Sequence, residues 1–375
     1  MKKTIRDFNL ENKNVIIRVD FNVPISDGII TDDNRIKESL ETIKYALSNN
    51  AKVILLSHLG RIKTEEDKEK NSLEKVSLRL EELLEKKVTF IKELDFNIIK
   101  EKIDSLNYGE VCLLENNRFY DLDEKKESSN DSTLASNYAS LGEVFINDAF
   151  GTIHRAHASN VGIASILPSG IGFLVERELD KLKELDNPER EYTVILGGAK
   201  VSDKVKVISE LAKKCDHLVI GGAMANTFLK AKGVDILDSL YEEECIDFCT
   251  EILNEYNDKL LLPIDYVIDD NKILDLGNET INLVKETLKN TKTVFWNGPL
   301  GYYEKEEYRN STREIMTYLI NSNIKTILGG GDIVACSSEL GLKDKVYYAS
   351  TGGGATLEYL EGKELPGLAS IQDKE

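Results

Sequence analysis

The nine residues Leu196-Gly197-Gly198-Ala199-Lys200-Val201-Ser202-Asp203-Lys204 bring two glycines and two lysines to one turn. Ahead of them Tyr192-Thr193-Val194-Ile195 is rich in β-branched residues and predicts a buried strand. Beyond them Val205, Val207, Ile208 and Leu211 are apolar at helical spacing, which predicts a helix beginning at Ser202 or Asp203. Such a start aims unpaired backbone N–H groups and the positive end of the helix dipole at one spot, beside Lys200 and Lys204. That arrangement suits an anion, a phosphate above all. The plain alternative is an ordinary βα turn flanked by solvated lysines.

Other residues able to do chemistry also stand just after predicted strands. In the first half they are Asp20, Asn22, His58, Arg61, Arg118 and Arg155, with Arg35 at a helix start. Arginine forks suit a small, highly charged anion. In the second half glycines dominate, at 197–198, 221–222, 329–331 and 352–354, which suits the close backbone approach of a nucleotide. An anionic metabolite on one side and a nucleotide on the other imply phosphoryl transfer, a reaction of positioning and charge stabilisation. Lys200 and Lys204 would meet the terminal phosphates, and Asp332 would bind Mg2+. A carboxylate acceptor would need no general base, being ionised already. There is no P-loop lysine motif and no Ser-His-Asp constellation. Cys245 and Cys249 lie one helical turn apart but have no partner ligands nearby, so they read as core residues.

The elements that must position these residues alternate strand and helix. Strands are predicted at 14–19, 52–57, 88–91, 111–114 and 143–146, then at 192–195, 217–220, 293–296, 325–328 and 346–349. Helices are predicted over 33–49 and 72–84. Residues 63–70 are a charge run expected to form a solvated loop. Residues 170–187 read as a helical connector and 240–256 as one long helix. The alternation predicts an α/β protein whose parallel sheets are covered by helices on both faces, with ligands at the strand C-terminal ends.

With 375 residues the chain has room for two or three domains. A net charge of −18 argues against nucleic acid or an anionic membrane as partner. No apolar run is long enough to span a bilayer, and the N-terminus lacks a signal-peptide core. Five scattered cysteines are expected of a reducing, cytoplasmic setting.

Long motifs add a resemblance. Arg18-Val19-Asp20-Phe21-Asn22-Val23-Pro24, Ser57-His58-Leu59-Gly60-Arg61, Asn147-Asp148-Ala149-Phe150-Gly151, His154 to Ser159, Leu196 to Lys204, Trp296-Asn297-Gly298-Pro299, Gly329 to Asp332 and Ser350 to Gly354 are similar to the signatures of phosphoglycerate kinases over essentially the whole chain. The resemblance implies reversible, Mg2+-dependent transfer of a phosphoryl group from 1,3-bisphosphoglycerate to ADP, giving 3-phosphoglycerate and ATP. It implies a monomer of two Rossmann-like lobes joined by a hinge helix. The first lobe would be 1–169, the hinge and nucleotide lobe 170–357, and 358–375 would return to the first lobe. By resemblance, Asp20, Phe21, Asn22, Arg35, His58, Leu59, Gly60, Arg61, Arg118 and Arg155 would contact phosphoglycerate. Arg35 and Lys200 would stabilise the moving phosphoryl group. Lys204, Gly277, Glu304, Gly330, Gly331, Asp332 and Ile333 would hold the nucleotide, with Asp332 on the metal. The chain departs from the family pattern at Ile333, usually Ser or Thr, and at Ile62 and Asn278, usually proline. Between Asp265 and Asp275 it is shorter than usual, as though a β-hairpin had been removed. Those departures keep open a second reading, a diverged phosphometabolite-binding paralogue without catalysis.

Overall fold

The computed structural model describes residues 1–374. The chain separates into two compact units, Met1–Leu179 with Glu364–Glu375, and Asp180–Lys363. The first division falls inside the helix Phe173–Lys183 rather than ahead of it.

The first unit is built on a parallel sheet of six strands in the order Val88–Ile91, Val111–Leu114, Lys52–Leu56, Asn14–Arg18, Val144–Asn147, Ser169–Ile171. Val15, Ile16, Ile17, Val53, Ile54 and Leu55 are fully buried, as the strands of a sheet covered on both faces must be. The helix Asn34–Ser48 covers one face through Ile36, Ile43 and Ala46, with Leu40 and Leu47 packed beside them. Burying Ile36 or Ile43 stabilises the unit by roughly 1.5–3 kcal/mol each. Register pairs Asn14 with Lys52 and Val15 with both Val53 and Val144, so the strands end level and their following loops converge on one edge.

The second unit is also built on a parallel sheet of six strands, in the order Leu260–Leu261, His217–Ile220, Tyr192–Leu196, Thr293–Asn297, Lys325–Leu328, Tyr348–Ala349. Numbered along the chain this is 3-2-1-4-5-6, the dinucleotide-fold order. Its switch point lies between Tyr192–Leu196 and Thr293–Asn297, where loops part to opposite sides and leave a crevice.

Several expectations are corrected. Residues 63–70 are solvated but not a loop: Glu65–Lys70 is a short helix, and Thr64 and Asp67 cap it reciprocally. Gly170 and Ile171 belong to a sixth strand, and the connector helix runs only Phe173–Lys183. The long helix over 240–256 is a 3-10 turn, Glu243–Cys245, followed by Ile246–Glu255. Cys245 and Cys249 are buried free thiols, as expected. The short segment between Asp265 and Asp275 is itself a hairpin: Tyr266–Asp269 pairs antiparallel with Lys272–Leu276 around Asp270 and Asn271, both at positive φ as a tight hairpin turn demands.

Candidate active site

In the first unit the loop after Asn14–Arg18 is stitched to the loop after Lys52–Leu56. Phe21 N–H donates to Ser57 Oγ at 2.9 Å, and Gly60 N–H donates to Asn22 Oδ1 at 2.8 Å. Asn22 N–H donates back to Asp20 Oδ1 at 3.2 Å, a local turn that Asp and Asn side chains favour. Asp20 forms an ion pair with Arg35, which is half-buried at the start of its helix. The third loop joins through Asn116, whose Nδ2 donates to Leu59 O at 2.7 Å and whose Oδ1 accepts Arg118 N–H at 3.0 Å. Arg118 Nη1 then reaches Gly60 O at 3.3 Å. Gly60 has φ +60°, and a Cβ there would come 2.6 Å from Asn71 Oδ1, so both backbone and space select glycine. Phe21 and Leu59 turn their side chains into the core and offer the site only backbone. Arg61 is exposed, as is Arg155, whose Nε sits 3.3 Å from His154 Nε2.

These cations feel one another. Burial, then Arg155 and Arg18, hold Arg118 below its ordinary value. Burial, then Arg18, Arg118, Arg35 and His157, hold His58 well below the usual imidazole range, so it is neutral at physiological pH. His157 is pushed down to about 3, by burial first and then by Arg18 and Arg118. Beneath the cluster lies a buried network absent from the sequence expectations: Arg18, Ser159, Asn117 and Glu127. Burial raises the Glu127 carboxyl to about 7, against the pull of Arg18. The only hint in the sequence was an arginine closing an otherwise apolar strand.

In the second unit the loops beside the switch point are packed backbone to backbone. Gly197 N–H donates to Asn297 O at 2.7 Å and Gly198 N–H to Pro299 O at 2.9 Å. A Cβ on Gly197 would lie 2.1 Å from Pro299 O, and one on Gly298 would lie 2.4 Å from Gly197 O. These glycines are therefore demanded by loop against loop, before any ligand is considered. The predicted helix start is also modified: Ser202–Lys204 is a 3-10 turn and the α-helix begins at Val205. The N–H groups at the start of the 3-10 turn are already occupied. Glu242 accepts Val201 N–H at 2.6 Å, Ser202 N–H at 3.2 Å and the Ser202 hydroxyl. Glu242, a carboxylate of the chain itself, thus holds that turn, with Lys200 favouring its charge.

A cavity of about 500 Å³ opens at this edge, within the usual range for a small-molecule site. Gly198 and Ala199 form one wall, Leu229 and Leu276 an apolar side, and Tyr303, Glu304 and Asp332 a polar one. Lys204 folds back so that its Nζ lies 2.9 Å from the position of a Cβ on Gly198; burial lowers its pKa while Asp203, Asp332 and Glu242 oppose. Lys204, Gly277, Gly330, Gly331 and Ile333 do not line the cavity. Gly277 adjoins Asp265, which caps the helix Asn278–Thr287 through Glu279 and Thr280 N–H. Gly330, at φ +113°, and Gly331 open the helix Gly331–Glu339, whose Ile333 side chain is buried in the core. Asp332 is exposed in the first turn of that helix. Among the described residues no three His, Cys, Asp or Glu side chains gather as a metal site. Asp332 is thus a single hard oxygen donor at a cavity mouth, which suits Mg2+ when phosphate oxygens and water complete its shell.

The phosphoglycerate kinase family model matches residues 5–363. The chain belongs to the phosphoglycerate kinase family. It is 49% identical over 395 aligned positions to the phosphoglycerate kinase of Enterococcus faecalis, and 50% over 398 to that of Fusobacterium nucleatum, each alignment spanning 100% of both chains. Among solved structures, the phosphoglycerate kinase from Coxiella burnetii superposes with a TM-score of 0.86 at 35% identity, covering 99% of this chain and 98% of that one. The enzyme from Pyrococcus horikoshii gives 0.87 at 31%, covering 98% of each. Membership of the phosphoglycerate kinases makes the chain a phosphotransferase of the α/β, two-sheet fold. No helix among the described residues is long and apolar enough to cross a membrane.

Proposed function

We propose that this chain catalyses reversible transfer of the acyl phosphate of 1,3-bisphosphoglycerate to ADP, as a cytoplasmic, monomeric glycolytic enzyme. The observation that carries the reading is the pairing of chemistries: a mutually repelling arginine cluster around a neutral His58 in the first unit, and a cavity at a dinucleotide-fold switch point in the second. The first attracts a small polyanion, because each guanidinium gains by neutralisation. The second admits a flat base and a phosphate tail.

In this reading Asp20, Asn22, Arg35, His58, Arg61, Arg118 and Arg155 hold phosphoglycerate, with Phe21, Leu59 and Gly60 contributing backbone. Glu304 and Asp332 hold the nucleotide from the cavity wall, and Lys204, Gly277, Gly330, Gly331 and Ile333 meet it from beside the cavity, Ile333 through its N–H alone. Asp332 would hold Mg2+, which when bound neutralises phosphate charge. Arg35 and Lys200 stabilise the negative oxygens of the phosphoryl group as the nucleotide oxygen–phosphorus bond forms and the acyl oxygen–phosphorus bond breaks. The leaving carboxylate needs no proton, so no general acid is required. The paralogue reading drew on Ile333 and on the shortened segment between Asp265 and Asp275; Ile333 points into the core without intruding on the cavity.

A coupled assay of ATP formation from 1,3-bisphosphoglycerate and ADP tests the proposal. Turnover that needs Mg2+ and falls sharply in Lys200→Ala supports it. Folded protein that binds both substrates without forming ATP would overturn it in favour of the paralogue.

A further inference from the structure

We infer that Arg18 is a positioning residue that fixes His58 in the tautomer carrying its proton on Nε2. Arg18 ends the central strand of its sheet and is 1% exposed. Its Nε donates to Ser159 Oγ at 2.8 Å, its Nη1 donates to Val19 O, and its Nη2 stands 3.3 Å from His58 Nδ1. A guanidinium has only N–H donors and no acceptor. His58 Nδ1 can therefore only accept, and the single proton of the neutral ring belongs on Nε2.

The surrounding network leaves Arg18 no freedom to turn away. Ser159 Oγ accepts from Arg18 and also from Asn117 Nδ2 at 3.0 Å. With both lone pairs engaged, the hydroxyl must give its own proton to Glu127 Oε1, its partner in a short contact. Glu127 Oε2 in turn accepts Ser159 N–H at 3.2 Å. Every proton from Asn117 and Arg18 through Ser159 to Glu127 thus has one direction. Arg18, Arg118, Arg35 and His157, the charged and titratable groups that act most strongly on His58, all disfavour a second proton on the ring, while the nearby carboxylates are engaged elsewhere, Asp20 with Arg35 and Glu127 with Ser159. The outcome is a neutral N–H donor set among cations. It can meet an oxyanion with directional preference and without adding a charge to a cluster that already repels itself.

That the Nε2–H meets phosphoglycerate rests on the function proposed above; the tautomer does not. Long-range proton–nitrogen correlation spectra of the ¹⁵N-labelled full chain, with His58→Gln for assignment, separate the two. The expected spectrum has a pyridine-type Nδ1 and a pyrrole-type Nε2 on His58, unchanged from about pH 5.5 to 8. Arg18→Met is expected to release the ring to the other tautomer and to weaken 3-phosphoglycerate binding by about tenfold, with nucleotide binding unmoved. A protonated Nδ1 in the wild type overturns the inference, and that spectrum is decisive even if the Arg18 variant does not fold. An Arg18→Met variant that folds and keeps the Nε2–H tautomer also overturns it. Failure of the wild type to bind 3-phosphoglycerate, with the tautomer as expected, removes the functional reading alone.

Discussion

Replacing Asp148 by asparagine should stabilise the protein at neutral pH and leave it nearly unchanged in acid. Asp148 follows the strand Val144–Asn147 and is fully buried. Its Oδ1 accepts Leu174 N–H at 3.0 Å and Val175 N–H at 3.3 Å, closing the first turn of Phe173–Lys183. Burial raises its carboxyl from 3.8 to about 6, against the hydroxyl of Thr42 and those two N–H groups. A carboxyl raised on folding favours the folded state most when protonated. Its contribution is full below 3.8 and is lost as pH rises through about 6. The gap is roughly 2.2 pH units at ~1.36 kcal/mol each, so the ionised group costs about 3 kcal/mol by neutral pH. An asparagine keeps Oδ1 as acceptor and cannot ionise. Urea unfolding followed by circular dichroism at steps from about pH 4 to 8 should give a difference that starts near zero and grows to about 3 kcal/mol in favour of Asp148→Asn. A difference that stays flat across that range, or that favours the wild type increasingly as pH rises, refutes the reasoning.

Other expectations are simpler to check. Lys200→Ala should lower kcat by about 10²–10³-fold with little change in KM, because its charge acts on the moving group; single-turnover kinetics measure this. Gly197→Ala should lose about 1–3 kcal/mol by denaturant titration, since the new methyl meets the Pro299 carbonyl, part of a neighbouring backbone. Glu242→Ala strips the cap from Val201 and Ser202 and should cost about 1 kcal/mol of stability, because water can reach the freed N–H groups. Ile333→Ser should destabilise by about 2–4 kcal/mol through its core cavity and leave the nucleotide dissociation constant within a few fold, read by calorimetry.

The sheets were largely legible because runs such as Val53-Ile54-Leu55-Leu56 are too apolar for anything but a doubly covered strand. Ser169–Ile171 and Leu260–Leu261 were not, since three and two residues at a sheet edge hold no period to detect. Helix Glu65–Lys70 escaped for the opposite reason: with no buried residue it shows no apolar stripe, and only its Thr64–Asp67 box marks it. The loops that carry the candidate residues could be read from position alone, at the ends of strands. Their supports could not. Glu127 meets Ser159 32 residues on, and Glu242 meets Ser202 40 residues back, contacts that topology creates and local sequence does not announce. The glycines have two duties: Gly197 and Gly298 are crowded by another loop of the protein, whereas Gly198, Gly222 and Gly301 line the cavity.

The clasp between Met1–Asp7 and residues 364–374 ties the two ends of the first unit together. Lys3 N–H bonds Gln372 O, Lys374 N–H bonds Met1 O, and Lys2 and Asp7 pair with Asp373 and Lys374. During translation the ribosome must deliver all of Asp180–Lys363 before that clasp can form. The second unit is thus one uninterrupted stretch of chain, whereas the first is completed only when its last residues arrive.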